Sequence, residues 1–110
     1  MTRQWLAKPS LMCISHVTGE HAETHMFLAK MRKGHSLDGF IEGDMFFGAE
    51  YVKFRHDLLA LYLKGHSTPL DIEENLHKQY PLILPDMKAL ENSLGTLLTR
   101  CEYCRSKHVA

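Results

Sequence analysis

The sequence predicts an all-α fold, a compact single-domain bundle of three main helices with a long glycine-rich loop between helices 1 and 2. Apolar residues recur at helical spacing over three long stretches, and glycines and prolines separate these stretches. No stretch shows the alternating pattern of a strand. A length of 110 residues is near the typical domain size, so residues 1–110 are expected to form one helical domain.

The first helix is expected over residues 12–33, interrupted only by Gly19 and stopped by Gly34. Its last turn is basic, with Lys30, Arg32 and Lys33. At 100° per residue, one stripe contains His16, Glu20, Glu23 and Phe27, and the neighbouring stripe contains Val17, His21, Thr24, His25 and Leu28. Two ionisable stripes side by side leave less apolar surface than an ordinary core helix has.

The remaining elements follow from local signals. Residues 34–48 contain four glycines and predict a loop, and a second helix is expected over residues 49–64. A short third helix should begin with Thr68 as its cap and Pro69 at its first position. The last helix should start near Asp86 and bury one ridge of side chains: Met87, Leu90, Leu94, Leu97, Leu98 and Cys101.

Composition narrows the class of protein. A hydrophobic fraction of 45% and a charged fraction of 24% are typical of a globular chain. No apolar run approaches the ~20 residues that a membrane span needs, and no signal peptide is evident. We therefore expect a cytoplasmic protein with no membrane partner, whose cysteines are reduced thiols or metal ligands. Thirteen basic side chains balance thirteen acidic ones, so a nucleic-acid surface would require an uneven distribution of charge.

The N-terminus offers a candidate nucleophile. Removal of Met1, which is usual when a small residue follows, would leave a free α-amine on Thr2. Because such an amine has a pKa of about 7.7–8.0, roughly 500 times more of it than of a lysine is unprotonated at neutral pH. It could attack a sugar carbon and form an imine. The alternative is an ordinary N-terminus without a role, since many proteins begin Met-Thr.

The first helix offers candidate acid–base and metal-binding groups. Glu23 could act as an acid or base, with His16 nearby to orient it. His21 and His25 have the i, i+4 spacing of paired metal ligands on a helix, although the sequence E-H-x-E-x-H differs from the zinc-protease pattern. A solvated polar face with partly buried histidines is the alternative.

The three cysteines are the other candidate ligands. Cys101 and Cys104 stand in the sequence C-E-Y-C, with His108 beyond, so these three residues could begin a zinc site. A fourth ligand would have to come from Cys13 or another histidine if the fold allows. Free thiols are the alternative, and a redox role is disfavoured because no βαβ pattern surrounds the pair.

Together these features resemble the pyrimidine-dimer DNA glycosylase family, the endonuclease V enzymes of phage. The resemblance covers residues 2–33 and 46–66. Its first block is Thr2-Arg3 and Leu6, followed by His16, Glu20 and Glu23 at the same distance from the N-terminus. Its second block is FFGAEYVKFRHDLL, residues 46–59, a glycine turn that leads into the second helix. The final third of the chain matches poorly.

The resemblance implies a DNA repair enzyme, a glycosylase with abasic-site (AP) lyase activity that removes a UV-induced pyrimidine dimer without a metal or organic cofactor. In that family the amine matching Thr2 attacks C1′, expels the base and forms a Schiff base, and the carboxylate matching Glu23 stabilises the cationic sugar and assists β-elimination. Residues matching Arg3 and His16 contact DNA and hold the site together. The implied partner is double-stranded DNA with a damaged base, bound by a monomer.

The chain also departs from the family. Ala22 and Met26 stand where the phage enzymes have DNA-gripping arginines. The substrate- and DNA-binding set is therefore expected to comprise Arg3, His16, Glu20, Lys30, Arg32, Lys33 and Arg55. Further phosphate contacts could come from Lys53, Arg105 and Lys107.

Two other functions fit the sequence. One is a non-catalytic helical module that binds DNA or a partner and has a structural zinc near Cys101 and Cys104. The other is a metal hydrolase with four candidate metal-site residues: His16, Glu20, His21 and His25.

Overall fold

The computed structural model describes residues 6, 8–63 and 68–104. A short 3-10 helix, Pro9–Leu11, precedes five α-helices: α1 (Ile14–Arg32), α2 (Asp38–Glu42), α3 (Ala49–Ala60), α4 (Glu74–Gln79) and α5 (Met87–Arg100). There is no β-strand in these parts of the chain. The predicted all-α class, with three main helices, is confirmed: the long helices are α1, α3 and α5.

The central packing is that of α1 against α3, which run antiparallel. The C-terminal half of α1 and the start of α3 share one large apolar cluster, formed with the loops and α4: Phe27, Leu28, Met31, Leu37, Phe46, Ala49, Val52, Leu70, Ile72, Leu76 and Tyr80. The start of α1 and the end of α3 share a small apolar cluster with the C-terminal part of the chain: Met12, Cys13, Val17, Leu59, Leu97 and Cys104.

A polar layer separates these clusters along the α1–α3 contact. It consists of five buried residues: Glu20, His21 and Thr24 on α1, and Arg55 and His56 on α3. Glu20 and Arg55 are only 1% and 2% exposed and form a two-pronged ion pair, with Nε–Oε2 at 2.6 Å and Nη2–Oε1 at 2.5 Å. Arg55 Nη2 also lies 3.6 Å from the Met12 sulfur, so the pair contacts the segment that leads into α1.

The third helix begins later than the sequence predicts. The expected start at Thr68 and Pro69 is wrong, because α4 begins only at Glu74. Two side chains of α3 bind the backbone of Leu70: the Leu70 N–H donates to Asp57 Oδ1 at 2.8 Å, and Lys53 Nζ donates to the Leu70 carbonyl at 2.8 Å. The Leu70 carbonyl is therefore hydrogen-bonded to a side chain of α3 and not to a following helical turn. The side chains of Leu70 and Ile72 pack into the large apolar cluster.

Asp57 is held ionised at this junction. Burial would raise the pKa of its carboxyl, but hydrogen bonds from the Leu70 N–H, His56 and Lys53 outweigh that effect and lower the pKa below its usual value. The carboxylate therefore accepts all three hydrogen bonds in its charged form.

Other boundaries follow the sequence signals more closely. Asp86 caps α5 by accepting a hydrogen bond from the Ala89 N–H at 2.8 Å, and Gly34 follows α1 with φ +73°. The glycine-rich loop contains the five-residue helix α2, which the sequence did not predict. The second helix ends at Ala60 rather than at residue 64.

The predicted ridge of the last helix is wrong in part. Met87 and Leu90 are exposed, and the buried residues in the first three turns are Ala89, Ser93 and Leu97. None of the helices in the described segments is both long enough and apolar enough to cross a bilayer.

Breaking the buried Glu20–Arg55 pair should lower the free energy of unfolding more than breaking the exposed Arg32–Glu73 pair. Arg55→Met leaves the Glu20 carboxylate buried without its cation, so the free energy of unfolding should fall by about 3–5 kcal/mol in urea denaturation. The matched control is Arg32→Met, which removes an arginine from a two-pronged but exposed pair with Glu73 and should cost less than about 1 kcal/mol. The double variant Glu20→Leu/Arg55→Met should recover most of the loss. If Arg55→Met and Arg32→Met lowered the free energy of unfolding equally, the Glu20–Arg55 pair could not be buried as described.

Gly48 should be the least replaceable glycine among those described. It has φ +99°, and a Cβ there would lie 2.3 Å from the Pro81 carbonyl oxygen, because backbone hydrogen bonds from Ala49 to Tyr80 and from Ile83 to Phe47 draw the two segments together. Gly48→Ala should lower the free energy of unfolding by about 2 kcal/mol or more.

The control for this variant is Gly19→Ala. A Cβ at Gly19, inside α1, meets nothing within 4 Å, so the substitution should raise stability by about 0.5–1 kcal/mol. Thermal melts of the two variants should therefore shift in opposite directions, and a neutral Gly48→Ala would show that the two segments are not held this close.

Candidate functional site

Four potential metal ligands meet where the two ends of the described chain come together. Cys13 precedes α1, His16 lies in the first turn of α1, and Cys101 and Cys104 follow α5. Their ligand atoms all lie within 4.8 Å of one another. We call this group the Cys/His cluster. The sequence pointed to Cys101 and Cys104, and the fold adds Cys13 and His16 from about 90 residues away.

Contacts within the Cys/His cluster are close. The Cys13 sulfur lies 3.1 Å from His16 Nδ1 and 3.7 Å from the Cys101 sulfur, and the Cys104 sulfur lies 3.5 Å from His16 Nδ1. Two backbone N–H groups point at sulfur, that of Cys13 at Cys104 Sγ (3.2 Å) and that of Cys104 at Cys101 Sγ (3.5 Å). All three cysteines are free thiols in this structure.

Burial shapes the protonation of the Cys/His cluster. It lowers the pKa of His16, which favours a neutral imidazole, and it raises the pKa of the Cys104 thiol to about 12. Burial would also raise the pKa of Cys101, but hydrogen bonds from the Cys104 and Tyr103 backbone, together with the sulfurs of Cys104 and Cys13, lower it overall. A thiolate at Cys104 therefore needs a compensating positive charge close by.

Three imidazoles form a second group, the histidine triad of His21, His25 and His56. Their ring centroids are 4.6–5.1 Å apart and their ligand atoms lie within 4.8 Å. His25 is exposed, whereas His21 and His56 belong to the polar layer. His56 Nδ1 lies 2.9 Å from Asp57 Oδ1, a carboxylate placed to orient the ring. The sequence identified the His21–His25 pair but missed His56, which only the α1–α3 packing brings near.

The fold divides the candidate ligands of the alternative metal hydrolase among three places. His16 joins the cysteines, Glu20 pairs with Arg55, and His21 and His25 face His56. The four-residue site suggested by the sequence is therefore not assembled, because Glu20 is buried against α3 and His16 lies among the cysteines.

Of the two predicted catalytic residues, Thr2 and Glu23, only Glu23 lies in the described part of the chain. Glu23 is half-buried on α1, one turn beyond the buried Glu20. Thr2 and Arg3, like Arg105, Lys107 and His108, lie outside the described residues, so the relation between the Thr2 amine and Glu23 stays a prediction. The first described contact of the chain is the Leu6 N–H, which donates to Ser93 Oγ on α5 at 3.0 Å.

The predicted DNA-binding side chains are found in different environments. Lys33 is exposed, and Lys30 is half-buried with its Nζ 5.9 Å from the centre of the Phe40 ring. Arg32 is exposed and grips Glu73 through Nε and Nη2, and this hydrogen bonding lowers the pKa of the Glu73 carboxyl. Arg55 and Glu20 are inside the protein and bind each other, so this structure presents neither side chain to a duplex.

The chain matches no protein-family model, and it shows no significant similarity to a curated protein or to a solved structure.

Proposed function

We propose that this protein is a DNA repair glycosylase with AP lyase activity, which excises a damaged pyrimidine through a Schiff base on the Thr2 amine. The supporting observation is the spacing of Thr2 and Arg3 from His16, Glu20 and Glu23, the pattern that resembles the pyrimidine-dimer glycosylases. The helix expected to contain the last three residues is present as α1. The proposed substrate is double-stranded DNA with a UV-induced cyclobutane pyrimidine dimer.

The fold supports Glu23, rather than Glu20, as the acidic group that acts on substrate. Glu20 is 1% exposed, and its charge is compensated by the two-pronged contact with Arg55. Glu23 is three residues further along the same stripe of α1 and borders solvent. A substrate approaching α1 from outside could therefore meet the Glu23 carboxylate but not that of Glu20.

In the proposed reaction the Thr2 nitrogen bonds to C1′ of the damaged nucleotide as the bond from C1′ to the base breaks, and the base leaves with the electron pair. Opening of the sugar ring gives an iminium between C1′ and the amine nitrogen. Glu23 stabilises the positive charge that develops on the sugar and assists removal of a C2′ proton, after which the 3′-phosphate leaves. The damaged nucleotide must leave the base stack, at a cost of a few kcal/mol that damage reduces.

The proposed setting is the cytoplasm, with a monomer acting on the duplex and no catalytic cofactor. Phosphate contacts are assigned to the basic end of α1, at Lys30, Arg32 and Lys33, and to Arg3. Arg55 is left out of the binding surface because it is engaged inside the protein.

The central prediction is a covalent intermediate. Borohydride should trap the protein on duplex DNA with a single pyrimidine dimer or abasic site, since it reduces the iminium to a stable amine. Glu23→Gln should lower the rate of trapping and strand cleavage by roughly 10²-fold or more. Glu42→Gln, at an exposed carboxylate on α2, is the matched control and should leave the rate unchanged.

The identity of the nucleophile can be checked on the same substrate. Intact mass first establishes that Met1 is absent, and reductive methylation restricted to the α-amine should then abolish trapping. An unblocked protein that begins at Thr2 and never crosslinks to dimer-containing or abasic DNA would exclude the proposed enzyme.

A second prediction concerns the basic end of α1. If Lys30 and Lys33 each neutralise a phosphate, replacing either with alanine should weaken non-specific duplex binding and reduce the slope of log K against log[salt] by about 0.9. Lys88→Ala, an exposed lysine on α5, is the matched control. Fluorescence anisotropy across a salt series gives the slopes, and unchanged slopes for the α1 variants would place the duplex elsewhere.

A second candidate function is a non-catalytic helical module that binds DNA or a protein partner. The Cys/His cluster favours it, because a stabilising centre near Cys101 and Cys104 is what that alternative requires. Reductive trapping distinguishes the two candidates: the module binds without forming a covalent adduct.

A further inference from the structure

The Cys/His cluster has the composition of a closed metal site. It has three sulfur donors and one imidazole nitrogen, delivered by the start of α1 and by the segment directly after α5. Cys13 and Cys104 are buried, and Cys101 and His16 are half-buried. Four protein ligands leave no open position for substrate, which is the arrangement of structural rather than catalytic zinc.

Two of the close contacts between ligand atoms match a tetrahedron of zinc ligands, and all the ligand atoms lie within 4.8 Å of one another. With Zn–S near 2.3 Å and Zn–N near 2.0–2.1 Å, tetrahedral geometry separates two sulfurs by ~3.8 Å and a sulfur from a nitrogen by ~3.6 Å. The Cys13–Cys101 sulfurs are 3.7 Å apart, and Cys104 Sγ lies 3.5 Å from His16 Nδ1. The Cys13 Sγ–His16 Nδ1 distance of 3.1 Å is shorter than this geometry requires and must lengthen by about 0.5 Å when zinc binds.

Two of the sulfurs also accept hydrogen bonds from the backbone. The backbone N–H of Cys13 points at Cys104 Sγ, and that of Cys104 points at Cys101 Sγ, so a negative charge on either sulfur would face a backbone hydrogen-bond donor. A disulfide would use only two of the three cysteines and leave one over.

We propose that Cys13, His16, Cys101 and Cys104 bind one structural zinc ion. Thiolates with a neutral imidazole in tetrahedral arrangement select zinc over the harder divalent cations. The ion joins the start of α1 to the chain that follows α5, across a separation of 88 residues between Cys13 and Cys101. Closing so long a loop restricts the unfolded chain strongly, so the metal stabilises the native fold.

This inference is independent of the proposed function. The glycosylase chemistry uses the Thr2 amine and Glu23, and the zinc would hold the scaffold without touching substrate. Trapping on DNA can therefore succeed or fail whatever the metal content, and metal can be found or absent whatever the result of trapping.

The test begins with the full-length protein purified under reducing conditions from zinc-supplemented cells. Elemental analysis should give about one zinc per chain, and X-ray absorption at the zinc edge should give three sulfur ligands near 2.3 Å and one nitrogen near 2.0 Å. Replacement by Co²⁺ should produce thiolate-to-cobalt charge-transfer bands. Absence of zinc together with no Co²⁺ uptake by the reduced protein overturns the proposal, as does zinc coordinated by nitrogen and oxygen alone.

Variants assign the ligands. His16→Ala and Cys104→Ser should lose most of the zinc, whereas His25→Ala, which alters the histidine triad, and His35→Ala, an exposed histidine, should keep it. Loss of zinc in His25→Ala with retention in His16→Ala overturns the assignment. If the ligand variants fail to fold, X-ray absorption of the wild-type protein still shows whether three sulfurs and one nitrogen bind the zinc. A chelator should lower the Tm of the wild-type protein by at least ~10 °C, and an unchanged Tm after complete zinc removal contradicts a structural role.

Discussion

The interaction on which the rest of the structure depends is the buried ion pair between Glu20 and Arg55. It lies in the middle of the contact between α1 and α3, with one apolar cluster on each side. Removing two charges from water is costly, and the pair is tolerated only because both prongs of the guanidinium meet the carboxylate. Since either charge alone would be strongly unfavourable in this interior, the pair fixes the register of the two helices.

This constraint explains what the sequence could and could not predict. Signals contained in a few residues, such as the stop at Gly34 and the cap at Asp86, predicted helix ends well, and apolar spacing predicted the all-α class. The buried face of α3 could not be predicted from hydrophobicity, because Phe54 is 56% exposed while Arg55 is 2% exposed. The partner that makes Arg55 an interior residue is 35 positions away in the chain.

The candidate sites show the same division between local and distant information. The i, i+4 spacing of His21 and His25 and the C-x-x-C spacing of Cys101 and Cys104 are visible in the sequence, but each pair is only part of its cluster. His56 reaches the histidine triad because α3 packs on α1, and Cys13 and His16 reach Cys101 because the chain after α5 returns to the start of α1. The extended segment before α4 has the same origin, since Lys53 and Asp57 of α3 bind the backbone of Leu70 and override a strong local helix signal.

The Cys/His cluster and the ion pair also bear on how the proposed enzyme would position its catalytic acid. Three ionisable residues of one α1 stripe lie in different environments: His16 contacts the cysteines, Glu20 pairs with Arg55, and Glu23 is half-buried. The first two anchor α1 on two successive turns, so the helix cannot rotate about its axis without breaking both contacts. Electrostatic stabilisation of a transition state requires a charge that is already in place when positive charge develops on the substrate. Glu23 lies one turn beyond these anchors on the same helix, which is the kind of support that such a carboxylate needs. In the proposed enzyme, therefore, two interactions that never touch substrate would determine where the catalytic carboxylate points.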